Sequence, residues 1–159
     1  MECIFTDGHD PRFLAMCREL DAYLNDLVGG ETQRSQYVQY NTPEKVTDVA
    51  LLMDGEQAAA CGGFKFHGAG TAEIKRVFTR PAYRGRGCAR AVMAALETRA
   101  AAQGYARLIL ETGKNMAPAV GLYTALGFHL IENYGQYRDM PQSVCMEKGL
   151  NPAPKANRN

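Results

Sequence analysis

Residues 72–90 read AEIKRVFTRPAYRGRGCAR, and few folds accommodate such a stretch. Ile74, Val77, Phe78 and Thr79 favour extended backbone, which predicts a strand over residues 72–79. Pro81 opens a turn, and Gly85 and Gly87 then alternate with Arg84 and Arg86 just before a helix predicted to begin near Cys88. The first N–H groups of a helix have no intrahelical acceptor and lie at the positive end of its dipole. Glycines let an anion approach that backbone closely, and Arg84, Arg86 and Arg90 add charge. A strand running into this loop therefore predicts a phosphate or pyrophosphate site.

The rest of the chain supplies partners for that strand. A short apolar stretch, residues 2–5, reads as a first strand. Asp10 and Pro11 then give a cap and a first helical residue, followed by Phe13, Leu14, Cys17, Leu20, Leu24, Leu27 and Val28 at spacings of three and four. Gly29-Gly30 predicts the end of this amphipathic helix. The polar run ETQRSQYVQYNT, residues 31–42, reads either as a short helix or as a connector that lines a cleft. Residues 46–53 and 57–66 flank Asp54-Gly55, a hairpin signal, and Gly62-Gly63 implies a bulge or a close backbone neighbour. Beyond the glycine loop come an alanine-rich helix over 89–103 ended by Gly104, a buried strand over 107–112, a short helix over 118–126, and strands over 128–131 and 143–148. The expected fold is α+β: a mixed, largely antiparallel central sheet flanked by helices on both faces. It should form one domain over residues 1–150, with a flexible tail at 151–159.

Composition narrows the function. A net charge of +1 gives no basic field, so nucleic acid is not the expected partner of Arg84, Arg86 and Arg90. The five cysteines, Cys3, Cys17, Cys61, Cys88 and Cys145, are scattered and lack metal-ligand spacing; no metal is expected. With no membrane-length apolar run and no leader before the first strand, the expectation is a reduced, cytoplasmic protein. Cys17 and Cys61 read as core residues. Cys88 stands at a helix start that lowers thiol pKa values, though packing is its simpler role. His9, His67 and His129 read as surface residues.

Arg84-Gly85-Arg86-Gly87-Cys88-Ala89 is not a Walker loop, because no Gly-Lys-Ser/Thr follows, and it lacks the third glycine of a dinucleotide fingerprint. It resembles the acyl-coenzyme A motif of the GNAT (GCN5-related N-acetyltransferase) superfamily, Arg/Gln-x-x-Gly-x-Gly/Ala, and the likeness continues downstream. LILETGKN resembles that family's fifth strand, and AVGLYTALGF its next helix and strand.

The resemblance implies acetyl-CoA as co-substrate, its pyrophosphate held by the backbone N–H groups of Gly85, Arg86, Gly87, Cys88 and Ala89 with Arg84 beside them. It implies pairing of the pantetheine arm with the main chain of Val77, Phe78 and Thr79, where the Val77 N–H would stabilise an oxyanion. Asn115 stands one residue before the place of the family's coenzyme-binding asparagine, which Met116 holds. The acceptor it implies is a primary amine of a small molecule or peptide, whose proton a general base must remove; such amines are only about one part in a few thousand deprotonated at neutral pH. Glu73 and Glu111 match the glutamates that two branches of the family use, and Glu73 is favoured. Tyr123 matches the tyrosine that protonates the departing thiolate. Lys75 and Arg76 either line the acceptor site or face solvent. The tyrosines of two loops, Tyr37 and Tyr40, Tyr134 and Tyr137, line an aromatic, polar cleft or form homodimer contacts. The alternative to an enzyme is a non-catalytic module that binds or senses acyl-CoA.

Overall fold

The computed structural model describes residues 1–27 and 42–152. Seven strands form one sheet in the order β1-β2-β3-β4-β5-β7-β6. They are β1 (Glu2–Thr6), β2 (Asp48–Asp54), β3 (Gln57–Gly68), β4 (Thr71–Thr79), β5 (Arg107–Gly113), β6 (His129–Ile131) and β7 (Ser143–Gly149). The helices are α1 (Pro11–Leu27), α2 (Cys88–Ala102) and α3 (Ala117–Ala125), with 3-10 turns at Pro43–Lys45, Pro81–Tyr83 and Gly135–Tyr137. β1 with β2, β2 with β3, β5 with β7 and β6 with β7 pair antiparallel, while β4 and β5 pair in parallel. The expected α+β architecture is what forms. No helix among the described residues is long and apolar enough to cross a membrane.

The chain divides into two compact units. The first comprises Met1–Lys65 and Lys75–Leu96. In it α1 is capped as its sequence predicts: the Asp10 carbonyl accepts from the Leu14 N–H, and its carboxylate accepts from the Arg12 N–H at 2.8 Å. Phe13, Met16, Cys17 and Leu20 bury one face of the helix against Val49, Leu51, Met53, Cys61 and Phe78. Each large apolar side chain so buried contributes about 1.5–3 kcal/mol.

Gly62 shows where α2 sits. A Cβ there would lie 2.9 Å from Val92 Cγ1 and 3.3 Å from Leu96 Cδ1. Neighbouring residues of a strand point to opposite faces, so Cys61 meets α1 while Gly62 meets α2, and the two helices cover opposite faces of this part of the sheet. The glycine pair thus marks close neighbours. The bulge in this hairpin lies elsewhere, between Leu52 and Met53, where Ala60 and Ala58 are their partners.

The second unit comprises Phe66–Ile74 and Glu97–Asn159. β7 lies between β5 and β6, with Glu111 opposite Cys145 and His129 opposite Glu147. Lys148 reaches across Gly127 to donate to the Leu126 carbonyl at 2.6 Å and to both Glu97 oxygens at 3.0 Å. It thereby closes the C-terminus of α3, where a cation also favours the helix dipole.

Candidate active site

The glycine loop belongs to the first unit. Gly85 and Gly87 both have φ +76°, a backbone region that side chains disfavour, and a Cβ on either would meet nothing within 4 Å. The N–H groups of Gly85, Arg86 and Gly87 have no acceptor among the described residues, and the first N–H groups of α2 follow directly. Arg84 and Arg86 flank the loop, their guanidinium carbons 4.8 Å from the Tyr23 ring centre and 5.3 Å from that of Tyr83. Tyr83 is anchored in turn by donating to Asp54 at 2.8 Å. The loop thus presents backbone donors between two arginines, a combination suited to an anion. Cys88 is buried beneath it with Sγ 3.5 Å from the Tyr83 carbonyl, a packing position.

Upstream on β4, Phe78 is buried in the α1 core and Val77 and Thr79 are half-buried. Arg76 stands in the strand at φ +61°. Its guanidinium donates to the Cys17 carbonyl and to Asp21, both at 2.9 Å. Neither option that the sequence left for Arg76 holds, because α1 claims its charge. Lys75 is buried as well, which excludes the solvent-facing alternative.

Both candidate bases lie in the second unit. The parallel ladder of β4 and β5 places Glu73 opposite Ile109, so Glu111, two residues on, shares Glu73's face of the sheet. Glu73 is only 1% exposed and accepts a 2.6 Å hydrogen bond from the Tyr134 hydroxyl. Glu111 is half-buried and accepts from the Ser143 hydroxyl at 2.8 Å. One loop, between β6 and β7, thus reaches Glu73, and the first residue after it reaches Glu111. The Asn133 side-chain amide braces the loop, standing 3.2 Å from the carbonyls of Tyr137, Met140 and Ser143.

Tyr134 meets the Tyr137 ring edge-on at 5.5 Å and the His67 ring at 5.1 Å. Burial first, and then the Glu73 charge, pushes the Tyr134 phenol well above its ordinary value, so it remains a donor at neutral pH. Burial followed by both carboxylate charges does the same to Tyr137. Tyr137 is 1% exposed, so it forms no surface contact. Tyr37 and Tyr40 lie outside the described residues.

Tyr123, on α3, is 8% exposed and packs edge-on to Phe128 at 5.7 Å. Burial raises its phenol pKa, and its hydroxyl has no hydrogen-bond partner among the described residues. Asn115 is exposed just before α3. Among the described residues no group of three or more His, Cys, Asp and Glu is placed to hold a metal ion.

The tie between Tyr134 and Glu73 is what the sequence did not disclose. The loop's tyrosines were visible as candidates, but a partner 61 residues away leaves no trace in local spacing. Ser143 carried no signal at all beyond its place at a strand start.

A positive-φ glycine loop stands at the start of α2 and a buried glutamate lies on β4, and comparison with known proteins gives the chain its class. The sequence model of the acetyltransferase (GNAT) family matches residues 14–128, and the chain belongs to that family. It is an acyl-CoA-dependent N-acyltransferase with acetyl-CoA as co-substrate. It is 32% identical over 136 residues to an IAA acetyltransferase of Azospirillum brasilense, covering 85% of this chain and 88% of that one. A Klebsiella pneumoniae structure assigned as an acyl-CoA N-acyltransferase is similar at a TM-score of 0.76 and 29% identity, over 94% of this chain and 97% of that one. The PaiA N-acetyltransferase of Thermoplasma acidophilum, in complex with coenzyme A, shares the fold at a TM-score of 0.69 and 15% identity, over 94% of this chain and 99% of its own.

Proposed function

We propose that the protein transfers the acetyl group of acetyl-CoA directly to a primary amine of a small molecule or peptide, with Glu73 as proton acceptor. The observation that carries this reading is the Glu73 carboxylate itself: nearly enclosed, held by a protonated phenol, and on one sheet face with Glu111. A carboxylate in such a place is suited to proton transfer, because it is oriented and shielded from bulk water. The amine nitrogen attacks the thioester carbonyl, its proton passes to Glu73 directly or through one water, and the C–S bond breaks. Tyr123, buried and protonated, gives its proton to the departing thiolate. The N–H groups of Gly85, Arg86, Gly87, Cys88 and Ala89 hold the pyrophosphate beside Arg84. The main chain of Val77, Phe78 and Thr79 holds the pantetheine arm, with the Val77 N–H facing the developing oxyanion. Asn115 contributes a further coenzyme contact.

A panel of primary amines assayed for free thiol release identifies a substrate. Glu73→Gln should then lower kcat about 10²- to 10⁴-fold with coenzyme affinity unchanged, and Glu111→Gln should lower it less than tenfold. Adding Tyr123→Phe should slow the Glu73 variant further. Full turnover by the Glu73→Gln, Tyr123→Phe protein would refute both assignments.

A further inference from the structure

We infer that Tyr134 is a positioning residue for Glu73, orienting its carboxylate and stabilising the ionised form, and that it makes proton transfer depend on the β6–β7 loop. The inference rests on the proposed role of Glu73 as proton acceptor. Three observations carry it.

The first is the hydrogen bond itself. At 2.6 Å it lies within the range of charge-assisted O–H···O contacts, and it is made to a side chain that is 1% exposed. The second is that Tyr134 is held in place independently of Glu73. Its ring is packed edge-on by Tyr137 and His67, and the loop that carries it is braced by Asn133. A donor fixed by its own surroundings can orient a carboxylate, whereas a mobile one merely follows it. The third is location. Tyr134, with Glu132, Asn133 and Arg138, lines an open pocket in this loop. One side chain therefore borders an open hollow of the loop and also bonds the buried carboxylate.

The titratable groups placed about Glu73 are Tyr134 and Tyr137 from the loop and Cys145 from β7, with Glu111 of β5 on the same sheet face. Tyr134 contributes the hydroxyl that donates to the Glu73 carboxylate. Removing the Tyr134 hydroxyl takes away a hydrogen bond that is made to the carboxylate and not to its protonated form. The sign follows: the acid limb of kcat, which reports the base in the loaded enzyme, should move to higher pH.

The test is kcat against pH for Tyr134→Phe at saturating acetyl-CoA and a responding amine, with the acetyl-CoA KM and the melting temperature measured beside it. The phenylalanine ring keeps both edge contacts and removes only the hydroxyl. The expected result is an acid limb about one pH unit higher, kcat below that limb lowered about tenfold, and an unchanged acetyl-CoA KM. A ring-fluorinated tyrosine incorporated at position 134 donates more strongly and should move the limb the other way. Opposite shifts from two variants of the same shape cannot come from altered packing. If Tyr134→Phe does not fold, the fluorinated protein alone decides, by a lower limb or an unmoved one. An unmoved limb, with Glu73→Gln still abolishing it, overturns the role of Tyr134 and leaves Glu73 as the base. A Glu73→Gln enzyme with wild-type kcat and limb overturns the base assignment itself, and the role of Tyr134 falls with it.

Discussion

Arg76 shows how much a single residue can be asked to hold. Left-handed backbone costs a non-glycine residue about 1–2 kcal/mol, and Arg76 adopts it inside a strand at φ +61°. Its buried Nε also lacks a hydrogen-bond partner among the described residues. What offsets both is the pair of 2.9 Å bonds from its terminal nitrogen to Cys17 and Asp21, which tie β4 to α1. Removing the guanidinium deletes both of these charge-assisted hydrogen bonds and empties its buried place against α1, so Arg76→Ala should lose about 2–4 kcal/mol in urea unfolding. Arg76→Gly loses the same bonds but relieves the backbone, and should be about 1 kcal/mol more stable than the alanine variant. Equal stability of the two would show that the strand carries no strain there. None of this is readable locally, because an arginine in IKRVF has a β-strand's neighbours and the partner that explains it lies 55 residues earlier.

At the scale of the element, α1 is the clearest case of local control. Asp10 accepts from the Arg12 and Leu14 N–H groups and also from the Thr6 hydroxyl at 2.9 Å. Asp10→Ala should cost about 1 kcal/mol at neutral pH. The Arg12 side chain first, and then its backbone N–H and Thr6, hold the Asp10 carboxyl well below the usual carboxylate range despite partial burial. A carboxyl lowered on folding contributes stability above its unfolded value and loses it as pH falls through the folded one. The difference between wild type and Asp10→Ala should therefore be full at pH 7 and shrink progressively below about pH 4, as urea titrations at several pH values would show. An undiminished difference at strongly acid pH would contradict the ion-paired cap.

Elements whose signals are contiguous were legible in the same way: Asp10-Pro11 for α1, Gly104 after α2, and Asp54-Gly55 for the hairpin. Val46 departed from expectation, since it leaves the Pro43–Lys45 turn before the strand begins, its N–H bonded to the Pro43 carbonyl. A β-branched residue beside a strand looks like part of it until the turn is known. Glu73 and Glu111 were legible as residues and as members of adjacent strands. The ladder that puts them on one face, opposite Ile109 and beside Cys145, is long-range pairing that no period in the sequence encodes.

For the molecule as a whole, the binding of acetyl-CoA offers the broadest test. A ligand that binds only the folded state stabilises it by about 2.7 kcal/mol at a hundred times its Kd. Coenzyme A should therefore raise the melting temperature of the wild-type protein. Gly87→Val places a side chain at φ +76° in open space beside the loop's N–H groups. It should lower the melting temperature of the free protein slightly and abolish the increment from coenzyme A. A full increment in that variant would remove the glycine loop from the donor site. Glu73→Gln, in contrast, should keep the increment while losing turnover.

Asn133 has a further consequence. Its amide has two hydrogens, and three carbonyls stand at the same 3.2 Å from its nitrogen. No assignment of two hydrogens satisfies all three at full strength, so the bonds are shared and the arrangement is degenerate. Asn133→Asp would test it: the substitution leaves the side chain's shape almost unchanged, replaces the nitrogen with oxygen, and turns three attractions into three repulsions.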